Sequence, residues 1–285
     1  MLYDKILYIN LDHRLDRKKN VEDQLKKLNL MDITTRIDAV NGKKLDLDKI
    51  PKELISARGI RDAKEGKKLY LYLTMGAIGC ALSHKKCYQY IVDNNINKCL
   101  ILEDDLTFDD NFNEKLNMLE ENGIIPKDFD VLFLGYHKSY VRNKTNDILF
   151  KCGQTFGLFG YIISNKAAKK FLSRTGIFPL TRQIDYEMYY QFGQGDMGLK
   201  AYSLNAKNRL IFSEESQNAV KFGTDIQVKN QFEETKKSTE EPNVIEQMTN
   251  TDFNYTWIVV IICLFGLGYL IRQKYWDKIK LLIKN

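Results

Sequence analysis

Apolar and polar positions change period several times along the chain. Lys5-Ile6-Leu7-Tyr8-Ile9-Asn10-Leu11 is a nearly unbroken apolar run and predicts a buried first strand. From about Arg14 to Leu28 the spacing turns helical, with Val21, Leu25 and Leu28 on one side. Asp38-Ala39-Val40-Asn41-Gly42 predicts a second short strand ending in a turn, where Asn-Gly would supply positive φ. Residues 43–72 are polar and mixed and carry no clear period. A helix is predicted from Thr74, its N-cap, through Val92, with Ile78, Leu82, Cys87 and Ile91 on its apolar face. Lys98 to Leu102 and Val131 to Gly135 read as buried strands. Phe156 to Ile163 is a glycine-punctuated apolar stretch, followed by a helix over Lys166 to Leu172 capped by Ser164 or Asn165. Strands alternating with helices predict an α/β fold with its sheet covered on both faces.

Beyond residue 228 the pattern changes. Residues 229–254 are rich in Glu, Lys, Thr and Asn and read as a solvated linker. Tyr255 to Ile271 carries no charge over 17 residues. As a helix it would span roughly 25 Å, near the lower limit for crossing a bilayer. Trp257 at one end and Tyr275-Trp276 at the other resemble an interfacial aromatic belt. The division expected is a catalytic domain over 1–228, a polar linker, a single-pass transmembrane helix over 255–271 and a basic tail over 272–285. The first residues contain no apolar signal segment, which favours a cytosolic domain on a C-terminal anchor. The basic tail and the sequons at Asn143 and Asn254 suit the alternative, a lumenal domain.

The chain has 285 residues, 44% hydrophobic and 28% charged, ordinary for a globular protein. Its net charge of +6 includes +4 from the tail alone, where five basic residues face Asp277. That leaves no basic stripe of the kind that holds nucleic acid. The five cysteines form no C-x-x-C pair and read as small buried residues.

The strand ending at Leu102 delivers Glu103-Asp104-Asp105. Active sites of open α/β sheets gather at carboxyl strand ends. If the chain stayed extended, Glu103 and Asp105 would point the same way and suit a hard divalent ion such as Mn2+ or Mg2+. A solvated acidic turn is the alternative.

Four segments carry a more specific likeness: Ile9 to Arg17, Gly76 to His84 with Lys85 following, Leu100 to Asp105, and Gly160 to Ala168. In this order and spacing the chain resembles glycosyltransferase family 25, which includes bacterial lipooligosaccharide galactosyltransferases and procollagen galactosyltransferases. The resemblance implies a GT-A-like fold, a UDP-sugar donor, inversion at the anomeric carbon, and Glu103-Asp104-Asp105 as the metal motif. It further implies that Arg14 and Arg17 lie near the donor nucleotide, where a guanidinium fork suits phosphate. A solvated helix start is the alternative for both. Asn41-Gly42 stands where the family usually has Asp-Gly, and Asn41 could bond a ribose or base. His84 would contact diphosphate or acceptor, or be a buried histidine bonded to backbone. Asp185, in Gln183-Ile184-Asp185 where the family often reads Pro-Val-Asp, would be the general base, with Glu187 in reserve.

The function expected is metal-dependent inverting transfer of galactose or glucose from a UDP-sugar to a glycan or protein hydroxyl. The alternative is a catalytically inactive, membrane-tethered carbohydrate-binding or scaffold domain. A phosphohydrolase is disfavoured, because the triplet continues Leu106-Thr107-Phe108 and lacks the nucleophile loop.

Overall fold

The structure, a computed structural model, describes residues 1–66, 72–193 and 198–213. The proposed linker, transmembrane helix and tail lie outside the described residues.

The first strand, β1 (Lys5–Asn10), leads into helix α1 (Leu15–Lys27), and β2 (Thr34–Asp38) pairs parallel to β1. Helices α2 (Ala57–Lys64) and α3 (Met75–Asp93) precede β3 (Lys98–Leu102), which pairs parallel to β1 on its other side. Then come β4 (Leu106–Phe108), α4 (Phe112–Glu121), β5 (Val131–Gly135), β6 (Lys138–Lys144), β7 (Leu149–Phe156) and β8 (Gly160–Ser164). Helices α5 (Asn165–Leu172) and α6 (Ile184–Gly193) and strands β9 (Ala201–Leu204) and β10 (Ile211–Ser213) complete the described chain.

Among the described residues, eight strands form one mixed sheet in the order β2-β1-β3-β8-β5-β9-β7-β6. Alternation along its strands sorts two cores. Leu7, Ile9, Cys99, Ile101, Phe133, Tyr161 and Ile163 face α3, α5 and α6. Ile6, Tyr8, Leu100, Leu102, Leu132, Leu134 and Ile162 face α1 and α4. Both faces of the central strands are thus apolar, as their unbroken apolar runs require. β10 pairs antiparallel with β4 in a separate ribbon.

The helix over Thr74–Val92 forms as expected: the Thr74 hydroxyl accepts from Ala77 N at 3.0 Å and caps α3. Ser164 rather than Asn165 caps α5, accepting from Ala167 N. The turn after β2 differs from expectation. Asn41 has φ −74°, and its side chain accepts from Lys43 N to start a 3-10 turn. Gly42 is needed for close approach instead: a Cβ there would lie 2.0 Å from Met75 O of α3. Residues 43–72 hold α2, whose cap is Ser56 and which its short, charged sequence did not announce. The Phe156–Ile163 stretch divides at Gly157, with φ +89°, into the end of β7 and the start of β8.

Candidate active site

β3 runs out at Leu102, and the chain bends through Glu103, Asp104 and Asp105 before β4. Because the extension is broken, the three acids do not alternate as a strand would. Asp104 and Asp105 turn toward α1. Arg17 Nη1 lies 3.1 Å from Asp104 Oδ1 and 3.1 Å from Asp105 Oδ2. Asn10, at the carboxyl end of β1, donates to the other Asp104 oxygen at 2.6 Å. Arg17 and Asp104 are both buried. Burial pushes the Asp104 carboxyl up, and the Arg17 charge with the Asn10 and Arg17 hydrogen bonds offsets this only in part.

Glu103 takes the opposite direction, toward α3. Its Oε1 lies 3.2 Å from His84 Nε2 and accepts from the Cys80 thiol at 3.8 Å. Cys80 and His84 are one helical turn apart, so both meet the end of β3. His84 Nδ1 pairs with the Tyr161 hydroxyl at 2.9 Å, and Tyr161 with the Tyr88 hydroxyl at 2.9 Å. All three rings are fully buried. Burial alone would raise the Glu103 carboxyl; the His84 hydrogen bond and the charges of His84, His137 and Arg17 outweigh it and hold it below its usual range. Burial, reinforced by Glu103, Asp185 and Asp105, pushes the Cys80 thiol well up.

Asp185 arrives from far along the chain. In the first turn of α6, its Oδ2 accepts from Gly157 N at 3.2 Å and its Oδ1 from Tyr186 N at 2.8 Å. The same 157–160 turn supplies Phe159 O, which accepts from Glu103 N at 3.2 Å. Asp185 and Glu103 are therefore pinned by one turn. A side chain at Gly157 would meet His137 Cδ2 at 2.7 Å. Burial raises the Asp185 carboxyl above its ordinary value, with the Glu103 charge adding to the effect. Glu187 is engaged elsewhere: its Oε1 accepts from Thr181 N and Arg182 N at 3.1 and 2.9 Å.

Arg14 and Asn41 both make local contacts in the structure. Arg14 forms a two-pronged pair with Asp16 through Nε at 3.1 Å and Nη2 at 3.0 Å. Asn41 sits in the turn docked on α3, where Ser83 Oγ accepts from Val40 N at 2.8 Å. Ser83 thus fastens that turn while His84, next to it, holds Glu103. Asn10, Cys80, Tyr161 and Arg36 were not picked out from the sequence. Arg36 donates to Asn10 Oδ1 at 3.0 Å and to Asp12 at 2.6 Å. A lone arginine on a short strand gave no signal, whereas Asn10 and Cys80 lay inside recognised segments.

Asp104 and Asp105 converge on a single cationic nitrogen, so this pair already offers two carboxylate oxygens to one positive charge, the donor set a hard divalent ion takes. Among the described residues, the three acids do not gather as one group of donors within 4.8 Å; Cys80, His84 and Glu103 do.

The model of glycosyltransferase family 25, described as LPS biosynthesis protein, matches residues 3–188. Procollagen galactosyltransferase 1-B of Xenopus laevis is 31% identical over 180 residues, 61% of this chain and 28% of that protein. Procollagen galactosyltransferase 2 of Homo sapiens is 29% identical over 180 residues, 60% of this chain and 28% of that protein. A probable inactive glycosyltransferase 25 family member 3 of Rattus norvegicus is 27% identical, covering 66% of this chain and 32% of that protein. The chain thus spans under a third of the length of these relatives. Among solved structures, A197 from STIV aligns at 12% identity over 70% of this chain and 81% of that one. Its TM-score of 0.37 is too low to carry the fold. Because the family model covers well over half of the sequence, including the triplet, Arg17, His84 and Asp185, the chain belongs to glycosyltransferase family 25.

Proposed function

We propose that this chain is a metal-dependent inverting glycosyltransferase with a GT-A-like fold. It moves galactose or glucose from a UDP-sugar to a hydroxyl of a glycan or protein. The observation that carries this reading is the turn at Gly157–Gly160, which fixes Asp185 beside the carboxyl end of β3.

Asp104 and Asp105 are the carboxylates assigned to Mn2+ or Mg2+, with Glu103 beside them at the strand end. Held by these carboxylates, such an ion would supply positive charge against the donor diphosphate. Arg17 is assigned to the donor diphosphate by the family motif; here one of its nitrogens, Nη1, already lies 3.1 Å from both Asp104 and Asp105, so it would serve the donor by balancing the charge of those acids. Arg14 and Asn41 are assigned to the donor nucleotide by the family motifs they lie in. Asp185 accepts the proton of the acceptor hydroxyl; its raised pKa brings it nearer the working pH that a general base needs. His84 acts through Glu103, orienting that carboxylate by the 3.2 Å contact. The Xenopus and human relatives are procollagen galactosyltransferases, which supports galactose as the sugar.

A second reading is a binding or scaffold domain without transfer activity. The relative from Rattus norvegicus, described as probably inactive, favours it. Calorimetry with UDP and Mn2+ separates the two: metal-dependent UDP binding supports the enzyme, and its absence the scaffold. The decisive experiment incubates the protein with Mn2+ and each UDP-sugar and measures UDP release. Asp105→Ala should abolish release while the domain stays folded. Wild-type activity in that variant, still requiring metal, would overturn the metal assignment.

No helix among the described residues is long and apolar enough to cross a membrane. Attachment through 255–271, with a cytosolic catalytic domain, is part of the proposal and rests on the apolar run and its aromatic flanks.

A further inference from the structure

Cys80, His84 and Glu103 bring a sulfur, an imidazole nitrogen and a carboxylate oxygen within 4.8 Å of one another. We propose that these three side chains form a binding site for a borderline divalent cation of the zinc class, separate from the Asp104–Asp105 pair.

The spacing fits such an ion. Tetrahedral zinc, with sulfur at about 2.3 Å and nitrogen and oxygen at about 2.0 Å, sets nitrogen–oxygen edges of about 3.3 Å and sulfur–oxygen edges of about 3.5 Å. The observed separations are 3.2 Å for His84 Nε2 to Glu103 Oε1 and 3.8 Å for Cys80 Sγ to Glu103 Oε1. One ion could therefore replace both contacts with small side-chain adjustments. The ligands sit on rigid elements, two on one face of α3 and one at the end of β3.

The surroundings fit as well. A metal-bound histidine commonly bonds a partner through its second ring nitrogen, and Tyr161 stands 2.9 Å from His84 Nδ1. Burial first, then the charges of Glu103, Asp185 and Asp105, holds the Cys80 thiol protonated, so an ion binding here would displace that proton and offset those negative charges. The donor chemistry selects the ion: sulfur and nitrogen suit zinc over Mg2+ or Mn2+. The Glu103 side chain keeps 22% exposure while His84 has none, so an ion would reach the three donors from the Glu103 side.

The test uses the purified full chain, stripped with chelator and then given zinc chloride alone. Elemental analysis after desalting should find one zinc per chain. Cobalt chloride should give a near-ultraviolet thiolate-to-cobalt band in the unaltered protein, a readout that requires no variant. Cys80→Ser should remove that band and weaken zinc binding at least about 10-fold, while Asp105→Asn should leave both unchanged. Tyr161→Phe should keep the band and weaken binding by about 10-fold, as loss of an outer-shell partner does. Substoichiometric zinc in the unaltered protein, no cobalt band, or retention of the band in Cys80→Ser would each overturn the site. Loss of zinc in Asp105→Asn but not in Cys80→Ser would assign the ion to the acidic pair and also overturn it. Neither readout needs donor or acceptor, so failure of the transfer reaction would leave this result standing.

Discussion

Asp104 and Asp105 face α1 and share the Arg17 guanidinium, whereas Glu103, one residue earlier, faces α3 and meets His84 and Cys80. Arginine stays charged at any working pH, so the first side is a permanent ion pair. Thiol and imidazole both bind metals of the zinc class, so the second side can exchange its hydrogen bonds for an ion. Burial acts on both sides, yet Asp104 is left above its ordinary pKa and Glu103 below. Neighbouring carboxylates at one strand end are thus set to different tasks by the helices they face.

The largest effect expected is on the α1 side. Arg17→Ala should cost about 3–5 kcal/mol, because it strands the buried Asp104 carboxylate without its cation. Urea denaturation measures this; a loss under about 1 kcal/mol would mean that water reaches Asp104 and the two sides do not differ as described. On the α3 side, His84→Leu should cost about 2–3 kcal/mol, from leaving Tyr161 and Glu103 without that partner. Equal or greater loss than in Arg17→Ala would reverse the ranking of the two sides.

A smaller change tests the scaffold of the second side alone. Thr74→Val should cost about 1 kcal/mol through loss of the α3 cap, with no change in the spectroscopic signature of bound cobalt. Cap loss that also abolished the cobalt band would show that α3 is less rigid than its packing implies.

The last prediction is a matter of sign. Burial raises the folded-state pKa of Asp185, so its contribution to stability is full below the ordinary aspartate pKa of about 4 and is lost as pH rises through the raised value. Transfer needs the carboxylate, so UDP release should fall as pH drops through that same value. Asp185→Asn should flatten this part of the stability profile and remove transfer. A UDP-release profile that kept its acid limb in an active Asp185→Asn variant would assign that limb to another group.

Much of the fold was legible because the central strands are buried on both faces. Lys98–Leu102 and Val131–Gly135 were readable to the residue, since continuous apolar runs of that length have few other uses. Thr74 announced α3 through its cap. β6, β7 and β9, farther along the sheet, and the β4–β10 ribbon carry mixed patterns, and α2 is short and charged; their pairing depends on distant partners that no local window contains. In the site, Arg17, His84 and Asp185 were named from motifs, but their partners were not. Asn10 lies 94 residues from the carboxylate it bonds, and Tyr161 lies 77 residues from His84.

The sequence by itself determined that three acids end a buried strand, that a Ser-His pair lies on a capped helix, and that an aspartate follows the last motif. Only the tertiary structure decided which way each acid turns. That choice came from the break in extension after Leu102 and from the helix opposite each carboxylate, with Arg17 drawing two acids to one side and His84 with Cys80 drawing the third to the other. A sequence lists charges in order; folding pairs them by proximity, because a buried carboxylate must find a cation or a donor within hydrogen-bond reach.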